Sequence, residues 1–506
     1  MKTKLNFRTK LGYGIGGLGY SSMSQTLNSF IMFFATAVMG ISGSLVGIAI
    51  ALSSLWDGVS DPLVGYLSDN TKNKFFGKRL GFMFFGIFVI AFLNICIWSM
   101  PAGLSEIGKF FWLLIGMLAI ETANTCFGTP YSALAIDIAP DYNEQSKVQG
   151  FKTAFNIIGM ILPSVLMYFF MSSISINIQQ SYTQEGYIKI ACINSSLLII
   201  FGLITIFTSL KHVHKYKIYS MEMTKEKFSL SSLLSGYFNV LKKKDFRAVI
   251  LGYSFATIAS AFLTSVGMHL FTYCYHFSSS QISIVLISLF GGAIISQPLW
   301  VYLSKRLDKK RSLIISLSTI VFGVFLTVIT FLFREFIPTE IMFIIAVPCL
   351  ILCGIGAGAM YSLPFSMYAD CVTLEIFKTG KNNAGSYTGY FTFTYNLANS
   401  VALLIIGFLL DLIKFDSAMP VQAMSVQNGL GLIVFFGCSI FLSLAIMTFS
   451  RFSIKRADVL KVQMSLDRGE RVAEEQFRQN SVAKSEGIKQ TMLSVCKKDI
   501  DKDKPS

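Results

Sequence analysis

The chain has 506 residues, 53% of them hydrophobic and 14% charged, with a net charge of +15. Soluble domains carry about 25% charged residues, so this composition excludes a soluble enzyme, a disordered chain, a collagen-like fibre and a disulfide scaffold. Lys and Arg sit in short clusters between apolar runs, which points to a lipid bilayer as partner and away from nucleic acid.

In chain order, residues 1–210 read as six apolar helices over 11–39, 44–69, 80–100, 107–138, 148–173 and 186–210. The first follows Lys2, Lys4, Arg8 and Lys10; its length and its glycines from Gly12 to Gly19 mark a retained helix rather than a cleaved signal peptide. A basic linker, 211–245, leads to six more helices over 246–275, 281–304, 312–333, 339–369, 384–412 and 428–450. The tail, 451–506, is polar, with one helical piece near 456–480. The expected class is an all-α membrane protein of twelve transmembrane helices in two six-helix pseudo-repeats, 1–210 and 246–450. The nine cysteines lie mostly inside apolar runs and read as small buried hydrophobes.

Loop charge sets direction. The 70–79 loop holds Lys72, Lys74, Lys78 and Arg79, and the 304–311 loop holds Lys305, Arg306, Lys309, Lys310 and Arg311. Loops 40–43, 101–106, 174–185 and 276–280 carry neither Lys nor Arg. The positive-inside rule then puts both termini in the cytoplasm of a bacterial inner-membrane protein.

The halves echo one another. Pro62-Leu63-Val64-Gly65-Tyr66-Leu67-Ser68 is answered by Pro298-Leu299-Trp300-Val301-Tyr302-Leu303-Ser304, and Pro130-Tyr131-Ser132 with Asp137 by Pro364-Phe365-Ser366 with Asp370. Equivalent positions fall six helices apart, the pattern of duplicated bundles that hold a substrate between them near the midplane. The echo fails at Asp57 and Asp61, which correspond to Ala293 and Gln297. A charged species is therefore handled by the first half alone.

Asp57 and Asp61 share one face of the second helix. An ionised Asp at the bilayer centre costs about 2.5–3.5 kcal/mol on insertion scales. The pair is tolerable with a cation between them, with a basic partner, or with one protonated. Oxygen ligands with Ser60 beside them suit a hard monovalent cation rather than a transition metal. Asp69, Asp137 and Asp370 lie near cytoplasmic helix ends, where pairing with the loop bases Lys78, Arg79 and Arg306 would close an inner gate. In the fourth helix Glu121, Thr125 and Gly128 share a face; Glu121 either lines a cavity or bonds a neighbouring helix. Lys152 and Asn396 have the same two readings, a substrate contact or a structural one. His269 and His276 flank the outer part of the seventh helix, where a lone histidine is usually satisfied structurally. No Walker A, HExxH or G-x-S-x-G sequence is present, so no enzyme machinery and no cofactor is expected.

Trp56-Asp57-Gly58-Val59-Ser60-Asp61-Pro62-Leu63-Val64-Gly65 resembles the second-helix W-D-x-x-x-D-P-x-x-G motif of the glycoside–pentoside–hexuronide:cation symporters, the melibiose permease-like branch of the major facilitator superfamily. Leu11-Gly12-Tyr13-Gly14, Pro130-Tyr131-Ser132-Ala133-Leu134, Pro140-Asp141-Tyr142-Asn143-Glu144 and Tyr387-Thr388-Gly389 agree in order, so the resemblance spans about residues 10–450. It implies uptake of an organic solute coupled to Na⁺, Li⁺ or H⁺ by alternating access, with the cation at Asp57, Asp61, Ser60 and Thr125. It places substrate near Tyr20, Glu121, Gly128, Lys152 and Asn396. Two acids of sugar-transporting members read Ser21 and Gly128 here, a fifth-helix Arg reads Lys152, and an eleventh-helix Lys reads Asn396. Glu121-Thr122 and Thr125-Cys126-Phe127 are also similar to animal sodium–lysophospholipid symporters. The expected substrate is thus a sugar or glycoside, with an amphiphile as the alternative. An uncoupled facilitator and a membrane sensor using the tail as output are the competing functions.

Overall fold

The computed structural model describes residues 5–71, 76, 79–138, 142–171, 183–215, 237–379, 384–417, 419 and 421–467. Lys78, most of the 211–245 linker and the tail beyond 467 lie outside the described residues, as do the side chains of Asp69 and Asp137.

The first set of helices is α1 (Phe7–Phe33, continued by a π turn over Phe34–Val38), α2 (Gly43–Asn70), α3 (Leu80–Trp98), α4 (Glu106–Ile138), α5 (Tyr142–Met171) and α6 (Gln184–Lys215). The second is α7 (Lys244–Tyr273), α8 (Ser279–Ile295), α9 (Gln297–Leu332), α10 (Thr339–Met360), α11 (Leu363–Thr379), α12 (Ala384–Leu412) and α13 (Met424–Ser450); a tail helix, α14 (Arg456–Asp467), follows. A backbone surrounded by hydrocarbon must satisfy its own hydrogen bonds, which is why these apolar stretches are helical.

Among the described residues, ten helical stretches are long and apolar enough to cross a membrane. Three features depart from the expected twelve uninterrupted apolar helices. α1 is long but less apolar, because glycine, serine, threonine and amide residues run through it. The expected eighth helix is broken at Ser296, so its apolar first piece, Ser279–Ile295, is short. It resumes as α9, which merges two helices across Asp308, a residue with φ 70° and ψ 155°. The expected tenth helix is likewise divided into α10 and α11 at Tyr361 and Ser362. Pro298 and Pro364 stand just after these breaks; a proline ring crowds the carbonyl four residues back and removes an N–H. Counted by crossings, α8 with the start of α9, the rest of α9, and α10 with α11 restore twelve.

Within the first set α1 packs on α5 and α6, and α4 on α2 and α3; within the second α7 packs on α12 and α13, and α10 on α8 and α9. The sets meet along two main seams, α2 against α12 and α8 against α5. Each seam joins the second crossing of one set to the fifth of the other, as the internal echo requires. The face that carries the start of α1 and the end of α13 is the terminal face; the opposite one is the far face.

At the far face the sets touch directly. Thr36 bonds His269 at 2.8 Å, and the His269 ring, fully buried, lies edge-on to Phe33 and Phe415. The Ser279 hydroxyl donates to the Met171 carbonyl across the α5–α8 seam. Near the terminal face the ion pairs among the described residues stay within a set: Lys10 and Lys147 with Glu144, Lys243 with Glu375, and Lys309 with Asp370.

Candidate cation and substrate site

Midway along the α2–α4 contact the two acids of α2 face a ladder of hydroxyls on α4. The Thr125 hydroxyl lies 3.2 Å from Asp57 Oδ1, 3.0 Å from Ser60 Oγ and 3.0 Å from the Glu121 carbonyl. One turn further on, the Thr129 hydroxyl donates to Asp61 Oδ1 at 2.8 Å. The spacing of four on both helices makes the two rungs, Asp57–Thr125 and Asp61–Thr129, repeat in register. Trp56 ties the same helices by donating to Thr122 at 2.8 Å.

The rungs are rich in oxygen. A hydroxyl has one proton and two lone pairs, so Ser60 and Thr125, in mutual contact, keep lone pairs free for a cation. Ser60 and Thr125 are buried, 3% and 2% exposed. Asn124 donates to Glu121 Oε2 at 3.2 Å, and its own Oδ1 is buried with no hydrogen-bond partner. Among the described residues no Lys, Arg or His makes an ion pair with Asp57, Asp61 or Glu121. Three carboxyls thus share a partly buried space with oxygen ligands and without a fixed positive charge. That donor set fits Na⁺, Li⁺ or a proton.

A model of the MFS/sugar transport protein family matches residues 12–456. The chain belongs to that family. The family is one of transporters, not of enzymes, and the protein is a multi-pass integral membrane protein. An uncharacterised symporter of Synechocystis sp. is 24% identical over 501 residues, covering 84% of this chain and 89% of its own. Sodium-dependent lysophosphatidylcholine symporter 1 of Xenopus tropicalis is 22% identical over 481 residues, covering 90% and 88%. Among solved structures, the inward-facing, unoccupied bacterial homologue of the human lysosomal transporter Spinster superposes with a TM-score of 0.62 at 10% identity, covering 93% of this chain and all of its own. The family match and this likeness together give the twelve-helix major facilitator fold.

The remaining expected residues of this family member divide. Tyr20 packs on Phe127, and a Cβ at Gly128 would stand 2.8 Å from the Tyr20 hydroxyl; Gly128 therefore makes room for Tyr20. Lys152 turns away from the carboxyls: its Nζ bonds Ser132 at 2.9 Å and lies 4.4 Å from the centre of the Tyr131 ring. Asn396 reaches the acids from the opposite set, donating to Asp57 Oδ2 at 3.2 Å.

At the terminal face Asp370 pairs with Lys309 at 2.5 Å, while Arg306 is exposed and stacks over Tyr302 at 4.7 Å. Arg79, half-buried, sits at the start of α3. Thr129 escaped the reading of the sequence, although its spacing of four from Thr125 and eight from Glu121 was the available signal.

Proposed function

We propose that the protein is a cation-coupled symporter that imports an organic solute by alternating access, with both termini in the cytoplasm and the linker 211–245 joining two six-helix units. Asp57, Asp61, Ser60 and Thr125 bind the coupling cation, Na⁺ or H⁺. The solute binds between the two sets, beside Tyr20, Glu121, Gly128, Lys152 and Asn396. Asp69, Lys78, Arg79, Asp137, Arg306 and Asp370 belong to the inner gate.

One observation carries the reading: two carboxylates inside a bilayer-spanning helix face hydroxyl oxygens instead of a basic side chain. Such a pair needs an external positive partner to be ionised together. An inward Na⁺ contributes about 2.3 kcal/mol per 100 mV of membrane potential. The symporter relatives over most of the chain support the same conclusion.

The solute is a sugar or glycoside in the first reading. A second is favoured by an apolar cavity in the second set, lined among others by Ala259, Leu263, Phe290, Val324 and Leu442. It suits an amphiphile with an apolar part. A thermal-shift screen of the purified protein against sugars, glycosides and lysolipids, with and without Na⁺, finds the class. Uptake into proteoliposomes under an imposed Na⁺ or pH gradient then tests coupling. Asp57→Asn is expected to abolish accumulation against a gradient; intact accumulation in that variant would remove the cation site from Asp57.

A further inference from the structure

We propose that Asp411 is the latch that holds the far face shut: its carboxylate, carried by α12, caps the first turn of α2 and must let go when the two sets part there. The inference rests on the alternating-access reading above.

The first-turn N–H groups of a helix have no partner within it. At the start of α2 three are occupied by carboxylates. Ser42 N donates to Glu106 Oε1 at 2.9 Å, Gly43 N to Asp411 Oδ1 at 2.7 Å, and Ser44 N to Asp411 Oδ2 at 2.8 Å. Glu106 begins α4 and moves with α2. Asp411 belongs to the other set.

Three features separate this contact from ordinary packing. Ser42 is well suited to cap α2 with its own side chain, yet it makes no such bond. The repeat-related start of α8 is capped locally by Ser278 and Gln281, each side chain meeting the other's backbone N–H. Capping at α2 has been transferred across the seam; at α8 it has not. Second, Asp411 is one residue from the end of α12, where a negative charge is unfavourable for its own helix. Docking against the positive end of α2 turns that liability into an attraction. Third, the surrounding seam is made of backbone. A Cβ at Gly43 would stand 2.5 Å from the Gly407 carbonyl oxygen, and one at Gly47 would stand 2.9 Å from that of Leu403. Backbone meets backbone closely here, and the carboxylate adds a directional grip across it.

The test measures distance, not transport. Spin labels at Ala102 and Glu335, exposed far-face loop positions in the two sets, report opening of the full-length protein in lipid nanodiscs by pulsed electron–electron resonance. Asp411→Asn and Asp411→Ala are expected to shift the ratio of separated to closed populations by about tenfold toward separation, the scale of a charge-assisted hydrogen bond. Ser44→Pro deletes one of the donors at a position where proline is tolerated, and should shift the ratio the same way by less. Glu106→Gln, within the first set, should leave the distances unchanged. Unchanged distances in both Asp411→Asn and Ser44→Pro would overturn the latch, as would an equal shift in Glu106→Gln. A shifted distance in a protein that transports nothing would leave the latch standing and sink the transport reading instead.

Discussion

Thr129 shows how a single hydroxyl extends the site. It donates to Asp61 Oδ1 at 2.8 Å, directly below the Asp57–Thr125 rung. A hydrogen bond to a charged group is worth about 1.5–3 kcal/mol. Thr129→Val keeps the shape and removes the donor, so the Na⁺ concentration giving half-maximal thermal stabilisation should rise about tenfold; Thr129→Ser should restore it. Equal behaviour of the two variants would mean that the hydroxyl does not support the cation at this position. Asp57 and Asp61 were legible in the sequence because acids inside an apolar helix are costly. Thr129 was not, because threonine in such a helix commonly bonds its own backbone, as Thr122 also does. A second residue-scale case lies outside the membrane-spanning part. Glu144 accepts from Leu5 N, and Lys10 and Lys147 approach it at 2.6 and 2.8 Å. Hydrogen bonds from Lys10 and then Lys147 lower its carboxyl from 4.5 to about 2. A lowered acid stabilises the fold above its unfolded pKa and loses that contribution as pH falls through the folded one. The melting temperature of Glu144→Gln should therefore lie below that of the parent at neutral pH, and the gap should close between pH 4.5 and about 2.

Helix existence was readable from apolar length; helix continuity was not. The stretches 281–304 and 339–369 are largely apolar, and hydropathy alone draws each as one rod. The chain bends them at Ser296 and at Tyr361–Ser362, ahead of Pro298 and Pro364. The prolines of the first set, Pro62 and Pro130, stay inside unbroken helices. The repeat thus conserves the position of proline without conserving its effect. What differs is the context: Ser296 turns its hydroxyl to Ala293 and to Ile355, and Trp300 donates to the same Ile355 carbonyl, which fixes the bend against α10. The glycines of α1 let neighbouring helices approach closely, and Gly19 tests that most sharply. A Cβ there would stand 2.8 Å from Leu198 Cα and 2.9 Å from the Leu197 carbonyl oxygen, both backbone atoms of α6. Backbone cannot rotate away, so Gly19→Ala must separate α1 from α6. The cost is expected at about 1–3 kcal/mol, read as a lower melting temperature in detergent. Gly150→Ala, with open space around it, should leave the melting temperature unchanged apart from a slight gain. A tolerated Gly19→Ala would show that α1 and α6 pack more loosely than these contacts imply.

At the scale of the whole molecule the two sets are alike in scaffold and unlike in charge. Each lends its second crossing to the fifth crossing of the other, and the α2–α12 seam carries a polar contact at the acids, from Asn396 to Asp57. The duplicated segments made the symmetry legible, and the unmatched Asp57 and Asp61 made its failure legible. The cross-set bond to Asp57 was not, since nothing local in the sequence ties Asn396 to it. That bond joins the proposed cation site to the helix that also carries Asp411. Phe393, on the same helix, lies where a Cβ on Gly58 would meet its ring at 2.9 Å. Whatever neutralises Asp57 therefore acts on the seam along which the sets must part. Leucine in place of Asn396 keeps the size and removes the N–H that the Asp57 carboxyl now receives at 3.2 Å. A hydrogen bond to a charged group is worth about 1.5–3 kcal/mol. Asn396→Leu is expected to raise the Na⁺ concentration giving half-maximal gradient-driven accumulation about tenfold, while Asn396→Gln retains it. An unchanged Na⁺ dependence in the leucine variant would show that ion and seam are not linked through Asp57, and the link would have to run through Asp61 and Thr129 instead.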